Sequence, residues 1–257
     1  MLAKVHLPSS AAEAAEKLHA GGWLVGGGTV VMPKVNTGAV PVDQLISLRN
    51  AGLAGISVNA NTVTIGAATT LADVGADDRV AFLRPVVRSI ASPPVRNLAT
   101  VGGNLLVPQP HGDLAVALLA LDAAVEVLSV AGTRTLTVGE PVGEHEIVTA
   151  VHFGLPKEGT WRYRKAMRRR HNSASIVTVA AVLDGANTRI ALGGVARGPV
   201  RAHAAEAILR QNPDAVAEAA EAAREGTEPF DDAYASAWYR TRVLPVHVRR
   251  ALLGEED

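Results

Sequence analysis

Two glycine clusters that lie far apart in the chain constrain its fold and chemistry more than any other feature. The first is Gly26-Gly27-Gly28-Thr29, and the second is Thr100-Val101-Gly102-Gly103-Asn104. Glycine allows backbone N–H groups to turn toward a ligand at φ angles that a Cβ atom forbids. A row of such amides forms a concave site for anions such as phosphate. We therefore expect the two loops to converge on one long anionic ligand, and a dinucleotide would fit.

Neither cluster matches a common nucleotide-binding motif. The fingerprint G-x-G-x-x-G opens a helix, but here Val31 stands at the third glycine position and Pro33 follows closely. A Walker A loop would need Gly-Lys-Ser/Thr, which does not follow the first cluster. Each cluster can also be interpreted as a turn, and the second as a hairpin glycine pair between a strand-like run over 95–100 and Pro108. The residues alone leave both interpretations open.

The composition argues against several classes of protein. Of the 257 residues, 25 are Lys or Arg, 25 are Asp or Glu, and only 4% are aromatic. A neutral, aromatic-poor chain lacks the basic field and the stacking platforms of nucleic-acid-binding proteins. Cysteine is absent, so this chain supplies no disulfide, iron–sulfur ligand or catalytic thiolate.

The same composition bears on location and metal binding. No stretch reaches the roughly 18 uncharged apolar residues of a membrane span. Residues 1–10 lack the apolar core of a signal peptide. The eight histidines show no metal-ligand spacing. We expect a cytoplasmic protein with no membrane span and no metal site.

Hydrophobic periodicity predicts an α+β fold. Strands are predicted at 23–25, 44–48, 56–58, 62–65, 124–130 and 133–138, and helices at 11–20, 71–74, 82–90 and 114–121. Beyond Pro156 the pattern predicts three antiparallel strands at 161–167, 176–183 and 191–195, with helices at 202–209, 213–224 and 233–252.

Three charged segments are candidates for contact with a ligand. Asp113 begins a predicted helix, where it could be the N-cap or could accept hydrogen bonds from a ribose or a ring. Lys165 stands at the end of a predicted strand and could reach a ligand. The basic run over 168–171 is typical of a solvated turn, or it contacts a cofactor or an acidic partner surface.

Taken together, these segments resemble the FAD-binding, or medium, subunit of molybdenum hydroxylases, a family that includes the flavin subunits of carbon monoxide dehydrogenase and xanthine dehydrogenase. Residues 25–29 are similar to the family motif Ala-Gly-Gly-x-Ser/Thr, and residues 100–104 match Thr-Ile/Val-Gly-Gly-Asn/Asp. The resemblance extends to residues 65–70, 94–97, 113–121, 146–148 and 163–170. The chain departs from the family between Val138 and Glu146, where an aromatic-Gly-Tyr-x-x-Thr element is missing.

The resemblance implies a two-lobed FAD-binding domain of the vanillyl-alcohol-oxidase (PCMH) type, followed by a small C-terminal domain. The lobes would span residues 1–52 and 53–152, and the C-terminal domain 153–257. The pyrophosphate of FAD would lie between the two glycine loops, and Lys165 near the flavin or ribityl region. The implied cofactor-binding residues are Val25, Gly26, Gly27, Gly28, Thr29, Val30, Thr100, Val101, Gly102, Gly103, Asn104, Asp113 and Lys165. No catalytic side chain is expected, because the isoalloxazine carries the redox chemistry.

The resemblance also implies partners and a role. A large molybdopterin subunit would hydroxylate the substrate, and a small [2Fe-2S] subunit would pass electrons to the FAD of this chain and on to an external acceptor. The expected assembly is a dimer of heterotrimers. Two alternatives stay open: a self-contained flavin oxidoreductase, and a scaffold subunit that has lost FAD.

Overall fold

The computed structural model describes residues 4–169 and 172–255 and arranges their strands in three sheets. The strands are β1 (Lys4–His6), β2 (Trp23–Val25), β3 (Gln44–Ser47), β4 (Ile56–Asn59), β5 (Thr62–Gly66), β6 (Ala124–Ser129), β7 (Gly132–Thr137), β8 (Ile147–Gly154), β9 (Trp161–Met167), β10 (Ser175–Val182), β11 (Arg189–Gly193) and β12 (Val200–Arg201). The α-helices are α1 (Ala11–His19), α2 (Val31–Asn36), α3 (Leu71–Ala76), α4 (Arg84–Ser89), α5 (Pro93–Arg96), α6 (Val101–Leu106), α7 (Asp113–Ala120), α8 (His203–Gln211), α9 (Val216–Ala222) and α10 (Ala237–Leu253).

The first sheet is parallel, in the order β1-β3-β2. Helix α1 connects its outer strands and begins where the Ser10 side chain accepts a hydrogen bond from the Glu13 amide. The buried face of α1, which includes Leu18, packs on Ile46 of β3 and Ile147 of β8. The first glycine cluster therefore starts where β2 ends, at the carboxyl edge of a parallel sheet.

The second sheet is antiparallel, in the order β4-β5-β8-β6-β7. The apolar side chains of β5, β6 and β8 pack against those of α3, α4 and α7 in the largest cluster of buried residues. The sequence patterns missed the central strand β8. Six of its eight residues are buried, including the first five in succession, so its polarity does not alternate. They also missed β1 and α2.

The third sheet is antiparallel, in the order β12-β11-β10-β9, and the short strand β12 adds to the three strands predicted. Helices α8, α9 and α10 pack against it in a second cluster of buried residues. Its other face contacts α7, where Val116 and Ala120 pack on Ala180 and Ala191. The α+β prediction is confirmed, and the boundaries at residues 52 and 152 stay predictions.

The segment before the second glycine cluster differs from expectation. The run over 95–100, expected to be strand-like, contains the end of α5 and a turn, because Pro93 and Pro94 occupy the first positions of that helix. Thr100 then caps α6, and its hydroxyl accepts a hydrogen bond from the Gly103 amide. The Gly102-Gly103 pair is therefore helical rather than a hairpin turn.

Within the described residues, no helix combines the length and the apolarity that crossing a bilayer requires. The longest, α10, contains four arginines.

A partly exposed ion pair closes the short segment between β7 and β8. Arg134 Nε lies 2.5 Å from Glu146 Oε1, and the Gly143 amide donates to Glu146 Oε2 at 2.7 Å. The Arg134 hydrogen bond first, and the Gly143 amide second, lower the pKa of Glu146 from 4.5 to about 2.

This shift predicts how one part of the stability depends on pH. A lowered pKa in the folded state stabilises the fold fully above the unfolded pKa, and the contribution is lost as the pH falls through the folded pKa. We expect Glu146→Gln to unfold at lower urea concentration than the native chain at pH 6. The difference should shrink between pH 4.5 and pH 2. Urea titrations at several pH values measure it, and a difference that is independent of pH contradicts the assignment.

Candidate cofactor site

The two glycine clusters touch each other. A Cβ atom added at Gly27 would lie 1.6 Å from the carbonyl oxygen of Leu98, and one added at Gly26 would lie 2.6 Å from Thr100 Oγ1. At Gly27 a side chain would have to displace the backbone, and at Gly26 it would have to displace the Thr100 hydroxyl that caps α6. Glycine is thus required at these two positions for the loops to meet.

The first loop presents a row of unpaired amides. Among residues 4–169 and 172–255, the N–H groups of Gly27, Gly28, Thr29 and Val30 have no hydrogen-bond acceptor. Gly28 has a φ of +74°, which turns the chain into α2. The loop is only half buried, so these four donors are available to a ligand. Consecutive free amides at a turn form a site for a phosphate oxygen.

The second cluster is different, because its amides are already paired within the chain. The donors and acceptors are Val101 N to Thr69 O (2.9 Å), Gly102 N to Ala67 O (2.9 Å), Gly103 N to Thr100 Oγ1 (3.1 Å) and Asn104 N to Thr100 O (2.9 Å). A Cβ at Gly102 would lie 3.0 Å from the Ala67 Cβ. These glycines therefore let α6 approach the end of β5. The Thr100 hydroxyl hydrogen has no acceptor among the described residues.

Asn104 connects the second cluster to α7. Its Oδ1 accepts a hydrogen bond from the Leu114 amide at 3.1 Å, and its Nδ2 donates to the His111 carbonyl at 3.3 Å. Both ends of this buried amide are thereby satisfied. Asn104 fixes where the loop over 107–112 returns and so where Asp113 lies.

Asp113 and Lys165 form a buried ion pair. Lys165 Nζ lies 2.8 Å from Asp113 Oδ2, and the two side chains are only 3% and 1% exposed. The Ser175 and Thr178 hydroxyls donate to Asp113 Oδ1 at 2.5 and 2.6 Å, and Lys165 also donates to the Ser89 carbonyl at 2.9 Å. The N-cap interpretation of Asp113 is wrong, because Gly112 is the N-cap and Asp113 is the first helical residue.

Tyr163 lies beside this ion pair on the same face of β9. Its hydroxyl is 2.8 Å from Ser89 Oγ. Burial raises the pKa of Tyr163 well above 10, the nearby Asp113 carboxylate raises it further, and the Ser89 hydrogen bond opposes them. The phenol therefore stays neutral.

The partners Ser89, Ser175 and Thr178 were missed in the sequence. No local pattern marks them, because Thr178 meets Lys165 only through the antiparallel register of β10 on β9. Of the basic run, Arg168 and Arg169 are exposed. Arg170 and His171 lie outside the described residues.

Two family models match consecutive parts of the chain. The FAD-binding domain of molybdopterin dehydrogenases matches residues 2–153, and the C-terminal domain of the CO dehydrogenase flavoprotein matches residues 162–254. The chain belongs to the molybdopterin dehydrogenase FAD-binding family. FAD is therefore its cofactor, and the family resemblance of the sequence is confirmed.

Two relatives and one solved structure support the same family assignment. The chain is 30% identical to the alpha subunit of the 6-hydroxypseudooxynicotine dehydrogenase complex of Paenarthrobacter nicotinovorans, over 89% of this chain and 85% of that one. It is 28% identical to the carbon monoxide dehydrogenase medium chain of Afipia carboxidovorans, over 96% and 94%. The fold matches carbon monoxide dehydrogenase from Hydrogenophaga pseudoflava at a TM-score of 0.91, with 29% identity over 98% and 96% of the two chains. The predicted PCMH-type fold is thus confirmed.

We predict that Lys165→Met and Asp113→Asn each destabilise the flavoprotein strongly. Removing one partner leaves the other charge buried and uncompensated, which costs about 3–5 kcal/mol. Urea denaturation of each single variant and of the double variant measures this cost and the coupling between the two residues.

Lys157→Met is the matched control. Lys157 Nζ also lies 2.7 Å from a carboxylate, that of Asp184, but its side chain is 74% exposed. Exposed pairs contribute roughly 0–1 kcal/mol. Equal losses in the Lys157 and Lys165 variants would contradict a buried pair.

Proposed function

We propose that this flavoprotein is the electron-transfer subunit of a molybdenum hydroxylase complex, working between iron–sulfur clusters on one partner chain and an external acceptor. When bound, FAD would supply the redox chemistry, since it exchanges electrons both singly and in pairs. The chain's own residues bind and orient it. No side chain of this chain is assigned a catalytic role.

The observation that carries the proposal is the row of free amides at Gly27, Gly28, Thr29 and Val30. A pyrophosphate carries two negative charges, and this neutral chain meets them with N–H dipoles rather than with a cluster of cations. The hydroxyl of Thr100 adds a further free donor beside the first loop. These residues fit the cofactor that the family model implies.

The remaining proposed cofactor-binding residues have different tasks. The second cluster, over 101–104, forms the wall on which the first loop rests, because its amides are occupied within the chain. Asp113 and Lys165 would orient the flavin end of the cofactor from a rigid, charge-compensated pair. Val25 and Gly26 place the first loop at the edge of its sheet.

The proposed partners are a large molybdopterin subunit and a small [2Fe-2S] subunit, in a cytoplasmic dimer of heterotrimers. Two relatives support a multi-chain assembly by their names, a medium chain of carbon monoxide dehydrogenase and a subunit of a dehydrogenase complex. The chain contains no cysteine, so any iron–sulfur clusters have to be bound by other chains.

Purification of the chain with its partner chains tests the role. We expect one FAD per copy of this chain, identified by chromatography after release. Removal of the flavin should leave the clusters reducible by dithionite but abolish electron delivery to a dye acceptor, and added FAD should restore delivery. A well-folded complex that lacks FAD would contradict the proposal. So would a complex that still delivers electrons to the dye after FAD has been removed.

Val30→Pro tests the free amides directly. Proline lacks an N–H group, and the Val30 amide makes no hydrogen bond within the described residues, so the substitution breaks no internal hydrogen bond. Val30 has a φ of −108° and proline requires about −65°, so the melting temperature of the variant is measured together with its affinity. A hydrogen bond to a charged group contributes about 1.5–3 kcal/mol, so we expect FAD affinity to fall by about tenfold or more. Fluorescence titration of the flavin-free protein measures the affinity.

Val30→Ala is the control for this substitution. It keeps the amide and removes only a side chain that is 42% exposed, so its FAD affinity should equal that of the native chain. A Val30→Pro variant with native affinity and native melting temperature would contradict the role of the Val30 amide.

A further inference from the structure

Helix α10 exposes one continuous face, and we propose that this face docks an acidic surface of a partner subunit; this rests on the proposed function. The face consists of Trp238, Arg242, Val246, Arg249 and Leu253, and we call it the α10 stripe.

The spacing of these residues places them on one side of the helix. Steps of four, four, three and four residues follow the 3.6-residue turn, and at about 1.5 Å per residue the stripe is about 22 Å long. The opposite side, with Arg240, Leu244 and Val248, is fully buried against the third sheet. The helix is therefore held firmly in place while its outer face stays uncovered within the described residues.

The stripe has the chemistry of a binding surface. Trp238 is 69% exposed, Val246 47% and Leu253 48%. The Arg242 guanidinium lies 5.7 Å from the centre of the Trp238 ring, in a cation–π contact that orders both side chains. Tryptophan and arginine are the residues most enriched at the energetic centres of protein interfaces. Ordering them beforehand reduces the entropy that is lost on binding.

The charge of α10 indicates the kind of partner surface that it binds. Helix α10 contains four arginines and no carboxylate, although the whole chain has no net charge. Arg240 is used internally, with Asp232 at 2.6 Å. Arg242 and Arg249 form no ion pair with the described residues. An acidic surface is the complement of this arrangement.

A second copy of the chain fits the stripe poorly. In a two-fold symmetric contact between antiparallel helices whose axis passes through the middle of the stripe, Arg242 of one copy would face Arg249 of the other. Like charges opposed in this way are unfavourable. The expected partner is therefore a different polypeptide.

The test compares two double variants of the full-length protein. Trp238→Ala with Arg242→Glu alters the stripe. Val130→Ala with Arg210→Glu makes the same kinds of change at an exposed apolar residue and an exposed helical arginine elsewhere. Affinity for the co-expressed molybdopterin and iron–sulfur chains is measured by interferometry at low and high salt. FAD content and melting temperature are recorded for each variant.

We expect the stripe variant to bind the partner chains at least about tenfold more weakly than the native chain, with a weaker salt dependence, and the control to bind like the native chain. FAD content and melting temperature should be native in both. Equal affinities of the stripe variant and the native chain overturn the docking surface alone. A native chain that dimerises through the stripe, so that only the stripe variant is monomeric, also overturns it. A native chain that binds FAD but neither partner chain overturns the proposed assembly and the docking surface together.

Discussion

The buried ion pair of Asp113 and Lys165 is the interaction on which the rest of the structure depends. Asp113 begins α7, a helix in the main core of the FAD-binding part, and Lys165 lies in β9 of the third sheet. Two hydroxyls from β10 and the Ser89 carbonyl complete the hydrogen bonding of the pair. Buried charges are tolerated only when they are paired and hydrogen-bonded, and this network joins α7, the end of α4 and the third sheet. It therefore holds the two matched domains together at a defined register.

The two glycine motifs have similar compositions but different physical tasks. In the first, glycine allows contact with Leu98 and Thr100 and leaves a row of amides unpaired. In the second, glycine allows a helix to approach Ala67, and the amides of residues 101–104 are all paired within the fold. The paired amides of the second motif support the open first loop. The donors of that loop are preorganised for an anion, because no internal hydrogen bond has to break before they bind it.

Most of the fold and part of the candidate site could be predicted from the sequence. Local periodicity was enough for α1, the β4–β5 hairpin and the strands β9 and β10, because each has an amphipathic pattern or a turn signal of its own. It was not enough for β8, whose first five residues are all buried and so show no period of two, or for the segment before Thr100, where two prolines start a helix. The glycine loops could be predicted because each is a short run of glycines and small polar residues that can be recognised without knowing the fold. Ser89, Ser175 and Thr178 could not be predicted. Strand register and helix packing bring them to Asp113 and Lys165, and no short segment of the sequence reveals that register or packing.

Although the chain has no net charge, two parts of its surface present positive potential by different means. At the proposed pyrophosphate site, the positive potential comes from backbone N–H dipoles, which carry no net charge. Where α10 faces outward, it comes from guanidinium groups on a helix without carboxylates. The inner side of that helix shows what an arginine does when its counter-charge is supplied within the chain. Arg240 is fully buried, pairs with Asp232 and donates to the Ser175, Ile176 and Gly194 carbonyls. Arg242 and Arg249, on the outer side, form no ion pair in the described part of the chain, which leaves them available to the acidic partner surface that we propose.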